Sequence, residues 1–104
     1  MADIEIINVK ILTEKDKKIA DTLLEEYHKK IQRLIKSSLR LKMHVKEYDK
    51  DGKKSKYSIN TEAIFAGKMI ESSSWDYDFA RAIHKGMKKI ENEMEKKFKV
   101  SRQQ

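Results

Sequence analysis

Leu39-Arg40-Leu41-Lys42-Met43-His44-Val45-Lys46 alternates without a break, apolar at each odd position and basic or histidine at each even one. A two-residue period puts Leu39, Leu41, Met43 and Val45 on one side of a strand and Arg40, Lys42, His44 and Lys46 on the other. The stretch therefore predicts a half-buried strand with a sheet face left open to solvent. Downstream, Asp49-Lys50-Asp51-Gly52-Lys53 carries the Asp-Gly signal of a hairpin. Tyr57, Ile59, Thr61, Ala63 and Phe65 then alternate with Ser58, Asn60 and Glu62 as the return strand. Ala66-Gly67-Lys68 is a second short turn, and Met69 to Ser73 a short last strand. Ser74-Trp75-Asp76-Tyr77-Asp78 predicts the start of a final helix, capped by Ser74 or Asp76, with acids suited to the positive end of its dipole. Phe79, Ile83, Met87, Ile90, Met94 and Phe98 form its buried stripe.

Upstream, Ile19, Leu23, Tyr27, Ile31 and Leu34 recur at helical steps, widened by Ala20, Leu24 and Ile35. They predict a long amphipathic helix over roughly 14–36, with Thr13 able to cap it and Asp16 placed for a capping box. Residues 4–12 are rich in β-branched side chains and read as a strand. Its alternation breaks at Ile6-Ile7, as a bulge or as burial on both faces. The order is β-α-β-β-β-α, an α+β fold. Two single-striped helices and a one-faced sheet pack most economically as a two-layer sandwich: a four-stranded mixed sheet with both helices on one face. The first strand, followed by a crossover helix, is expected parallel to the second, and the remaining pairs antiparallel.

The chain has 104 residues, 39% of them charged, with a formal net charge of +7 and a mean hydropathy of -0.81. One small domain over residues 1–100 is expected, followed by a short polar tail at 101–104. No apolar run approaches the ~20 residues of a spanning helix. The acidic opening Met1-Ala2-Asp3-Ile4-Glu5 is unlike a secretory n-region. Without cysteines, disulfide scaffolds, Cys-ligated zinc and thiol catalysis are excluded. A cytoplasmic protein is the expectation.

The charge is polarised. Residues 1–28 hold four lysines against seven acids, while residues 29–104 hold twenty bases against ten acids. A basic chain of this kind meets a polyanion, or uses lysine for solubility. At 100° per residue, Arg81, Lys85, Lys88, Lys89, Lys96 and Lys99 share one sector of the last helix, opposite its apolar stripe and interrupted by Asn92. Like charges at this spacing repel, and a stripe kept despite repulsion suggests a partner that neutralises it. Neutralising about six phosphates implies a log–log salt slope of about -4 to -5. Lys29, Lys30, Arg33 and Lys36 add a weaker patch near the end of the first helix, where cations also complement the dipole. The row Arg40, Lys42, His44, Lys46 is explained in part by edge protection, with RNA contact as the alternative.

Catalytic constellations are missing. His28, His44 and His84 have no metal-ligand spacing and read as surface histidines. Asp76 and Asp78 read as helix-start acids rather than a catalytic pair. Ser72-Ser73-Ser74 has no base near it, and no glycine-rich phosphate loop exists. Gly86 borders the buried stripe and implies close approach of another element. Trp75 reads as a cap on the core, with base stacking as the alternative. No enzyme, cofactor, metal, small-molecule substrate or membrane is expected.

From Ser73 to Lys99 the chain shows an acid-rich helix start (Trp75-Asp76-Tyr77-Asp78), then Ala82-Ile83, Lys89-Ile90-Glu91 and a basic end at Lys96-Lys97-Phe98-Lys99. Together with Thr13 and Lys30-Ile31-Gln32-Arg33-Leu34, this resembles the ribosome-associated inhibitor family, known as protein Y or hibernation-promoting factor, in its short form. The resemblance implies a protein that binds small-subunit ribosomal RNA in the decoding region, blocks messenger and transfer RNA, and silences idle ribosomes under stress. It places the family's basic helix positions at Lys89 and Lys96, with Arg81, Lys85 and Lys88 nearby; Asn92 departs from the base usual there. Without the C-terminal dimerisation domain of long forms, ribosome pairing by that route is not expected; the protein itself is expected to be a monomer or weak dimer. Two rivals are a double-stranded RNA-binding domain, whose α-β-β-β-α order is contained here, and a dimeric protein–protein module.

Overall fold

The computed structural model describes residues 3–7, 12–49 and 55–102, with side-chain detail for these except 47–49, 55 and 98–102. Its elements run β1 (Ile4–Ile7), α1 (Glu14–Gln32), β2 (Arg40–Asp49), β3 (Ser55–Phe65), β4 (Lys68–Asp76) and α2 (Phe79–Arg102). The four strands form one sheet in the order β1-β2-β3-β4. β1 lies parallel to β2, from Ile4 opposite Leu41 to Ile7 opposite His44. β2 with β3, and β3 with β4, are antiparallel. The expected mixed sheet and helix layer are present. The expected Asp51-Gly52 turn and residues 8–11 of the longer first strand lie outside the described residues.

The two-residue period of β2 decides which side meets the helices. Leu41, Met43 and Val45 are fully buried, and from β3 so are Ile59 and Ala63. Against them α2 sets Ile83, Met87, Ile90 and Met94, and α1 sets Ala20, Leu24 and Ile31. Ile19, Leu23 and Leu34 lie at the margin of this core rather than at its centre. Ala66 and Gly67, at φ 49° and 73°, make the β3–β4 connection as a two-residue hairpin turn of left-handed residues.

Thr13 caps α1 as its sequence implies, its Oγ1 accepting the Asp16 N–H at 3.1 Å. The helix stops at Gln32, four residues before the expected end. Apolar spacing misleads here, because Ile35 still enters the core after the helix has ended. The Gln32 side chain closes the turn by donating to Ser37 O at 2.8 Å and accepting from Leu39 N at 3.0 Å.

The larger correction concerns β4. It continues through Asp76, so Ser74 and Asp76 are strand residues, not helix caps. Asp78 caps α2 instead, its carboxylate accepting the Arg81 N–H at 3.0 Å and its carbonyl the Ala82 N–H at 3.0 Å. Ser72 and Ser74 face the helix layer, where their hydroxyls donate to Gly86 O (2.9 Å) and Ala82 O (2.7 Å) of α2. This contact needs glycine. A Cβ at Gly86 would lie 3.0 Å from Ser74 Oγ and 3.5 Å from both Ser72 Oγ and Thr61 Oγ1. α2 therefore lies close along β4, running from the Asp76 end back past Ser73, with its backbone helical to Arg102.

Candidate nucleic-acid interface

Close seating of α2 on β4, an edge strand, determines what its polar flank can do. An edge strand presents unpaired carbonyls to solvent, and the cations of α2 reach them. Lys89 Nζ donates to Ser73 O at 2.6 Å and Lys85 Nζ to Trp75 O at 3.1 Å. Lys85 also meets Asp76 Oδ2 at 2.9 Å, and Arg81 Nε meets the same oxygen at 3.2 Å. Asp76 Oδ1 accepts the Asp78 N–H at 2.9 Å. That amide and then the Lys85 ammonium hold the Asp76 carboxyl well below the usual carboxylate range, against the opposing effect of burial and with further help from the Arg81 guanidinium.

The expected stripe thus sorts into parts. Arg81, Lys85 and Lys89 are anchored to β4 or Asp76, while Lys88 and Lys96 are exposed on the same helix. Lys89 and Lys96 line an open groove of about 560 Å³ with Glu71, Ser72, Ser73, Asn92 and Glu93. The Lys99 side chain lies outside the described detail. Lys29 belongs elsewhere: it lines a separate groove with Asp3, Ile4, Ile6, Asp21, Glu25 and His28 beside β1, at the opposite edge of the sheet. Arg33 is the C-cap of α1 and Lys36 an exposed residue of the following turn. Lys29 therefore stands apart from the α2 flank.

On the open face, Arg40, His44 and Lys46 are exposed and Lys42 half-buried. Lys42 stands in register between Glu5 of β1 and Glu62 of β3, so acids break this row. His28 ties α1 to the segment leading into β2, and His84 ties α2 to α1. His28 Nε2 lies 2.8 Å from Leu39 O, and His84 Nδ1 lies 2.7 Å from the hydroxyl of buried Tyr27. Burial, aided by Glu91 and Glu26, pushes the Tyr27 phenol up. Among the described residues no group of three metal-ligating side chains occurs, and no helix is long and apolar enough to cross a membrane.

Trp75 corrects the sequence reading. It faces away from the core, 51% exposed, because β4 continues past it and its odd position turns it to the open face. Tyr77, 52% exposed, meets it edge-on at 5.9 Å. The signal that could have found this was the alternation of Ile70, Ser72, Ser74 and Asp76 opposite a glycine-containing helix.

No protein-family model matches the sequence, and no curated protein matches it. Among solved structures the chain is similar to the Protein Y N-terminal domain of Thermus thermophilus, with a TM-score of 0.66 and 15% sequence identity. The match covers 89% of this chain and 92% of that one. The two share a fold, the one that the resemblance in the last helix implies.

Proposed function

We propose that this protein docks on small-subunit ribosomal RNA through the cationic flank of α2 and, as a rigid body in the decoding region, blocks messenger and transfer RNA. The observation that carries the reading is the column Arg81, Lys85, Lys88, Lys89, Lys96 beside the β4 edge, on the fold shared with the Protein Y N-terminal domain. Phosphate neutralisation supplies affinity without base-edge contacts, and structured RNA is read by shape and backbone. The function is occupancy rather than catalysis. A dimer formed by pairing β4 edges is disfavoured, since Lys85 and Lys89 already occupy the Trp75 and Ser73 carbonyls.

The test is co-sedimentation with small subunits on sucrose gradients. The double variant Lys88→Glu, Lys96→Glu reverses two exposed charges without touching the β4 contacts. Loss of co-sedimentation with an unchanged circular dichroism spectrum is expected; retention would remove α2 as the docking face. Equal affinity for a plain RNA duplex would favour a double-stranded RNA-binding domain instead.

A further inference from the structure

Trp75 is the chain's single tryptophan. Its cross-strand neighbour on β3 is Ser58, too small to cover an indole, and the next residue along that row is Lys46 of β2. Lys56 Nζ lies 4.6 Å from the centre of the Trp75 ring and Lys85 Nζ 5.4 Å from it. The adjacent row is His44, Asn60 and Ser73, neutral and small at its β4 end. Glu62 and Glu71 stand a further row away, ~13 Å along the strands from Trp75. A single exposed apolar side chain needs no explanation. A flat ring with a second ring set perpendicular to it, bordered by two lysines and with a third in its row two strands away, is a different object.

We propose that Trp75 is a stacking platform for one unpaired base of a single-stranded RNA segment, with Lys46 and Lys56 holding the phosphates beside it. Every base presents a flat π-face, so an exposed indole selects for unpaired nucleotides without selecting sequence. Lys56 is the residue a base displaces from the ring. In water, stacking on an aromatic ring outweighs an exposed cation–π contact, and the released ammonium lies beside the incoming phosphate. Tyr77 borders the platform edge-on. The surrounding charge matches a polyanion, and Asp76 is turned to the other side of β4, engaged with Arg81 and Lys85. This site is on the open sheet face, meets the α2 flank only at Lys85, and goes beyond the ribosomal reading.

Fluorescence excited to the red of tyrosine absorption reports Trp75 alone, so titration with short oligouridylate and oligoadenylate strands at low salt tests the platform directly. Quenching that saturates together with the anisotropy of a labelled strand is expected. Trp75→Leu should weaken single-strand binding about tenfold, Trp75→Phe should recover most of it, and affinity for a blunt-ended duplex should not change. Strands that bind without altering the emission, strands that do not bind, or a Trp75→Leu variant that binds like wild type would each overturn the proposal. So would a Trp75→Leu variant altered only in self-association, which would make the ring a protein contact. The two readings fail separately. Absent quenching leaves co-sedimentation through Lys88 and Lys96 standing, whereas quenching in a protein indifferent to small subunits removes the ribosomal reading and keeps the platform.

Discussion

Asp76→Asn tests how the cationic flank is used. Arg81 and Lys85 both contact Asp76 Oδ2, at 3.2 and 2.9 Å, so this trio contributes one positive charge rather than two. With Lys88, Lys89 and Lys96, the described residues of the flank then offer four effective charges to phosphates. At 0.7 to 0.9 per phosphate, the log–log salt slope is about -2.8 to -3.6, shallower than six free cations would give. Asparagine keeps an oxygen to accept the Asp78 N–H, so the start of α2 survives while one charge is released. The slope should steepen by about 0.7 to 0.9. If the variants converge near 1 M salt, affinity at 0.1 M rises about five- to eightfold. The assay is anisotropy or filter binding to small subunits across a salt series, with circular dichroism as the control for folding. An unchanged or shallower slope in a folded variant would refute the charge count and would mean that Asp76 positions Arg81 and Lys85 for binding rather than competing for them.

Three further expectations concern the scaffold. Stability should fall as the pH drops through the ordinary carboxylate range, because the depressed Asp76 carboxyl stabilises the fold above its unfolded value and loses that contribution as it protonates; Asp76→Asn should flatten this acid limb in denaturant titrations. Thr61 Oγ1 is buried with no hydrogen-bond partner among the described residues, so Thr61→Val should raise stability by about 1 kcal/mol, read as a shift in the denaturation midpoint. Gly86→Ala gains about 1 kcal/mol of helix propensity but drives a methyl to 3.0 Å from Ser74 Oγ and disturbs its 2.7 Å bond to Ala82 O. It should be neutral to destabilising alone and stabilising in a Ser74→Ala background; additive effects in that double-mutant cycle would contradict the contact.

Much of the fold was legible because its signals are local. The alternation of Leu39 to Lys46 marks a strand and its inner face, Thr13 caps α1, and Gly86 announces a close approach that Ser72 and Ser74 then supply. The end of β4 was not legible, because serine also favours helix caps and turns. Only the small residues across the interface on α2 make a serine pair valuable inside this strand. α1 ends early for a similar reason: the Gln32 bonds to Ser37 and Leu39 are not visible in the spacing of Leu34 and Ile35. Both site errors descend from β4. Once the strand reaches Asp76, Trp75 must face outward and Asp76 must meet Arg81 and Lys85.

Self-repulsion within the α2 stripe is therefore a weaker argument for an external anion than the sequence suggests. Like charges at i,i+4 cost only a few tenths of a kcal/mol. For Arg81, Lys85 and Lys89 the fold supplies its own compensation, in one carboxylate and two edge carbonyls. Those contacts explain why these three bases stand where they do even if no RNA is ever met, since they shield β4 from pairing with another chain. Lys88 and Lys96 have no such explanation in the contacts described, and the same holds for the exposed indole of Trp75. The case for a nucleic-acid partner rests on these residues more than on the total of basic side chains. Their substitution, rather than a general reduction of charge, separates an RNA-binding surface from a well-protected sheet edge.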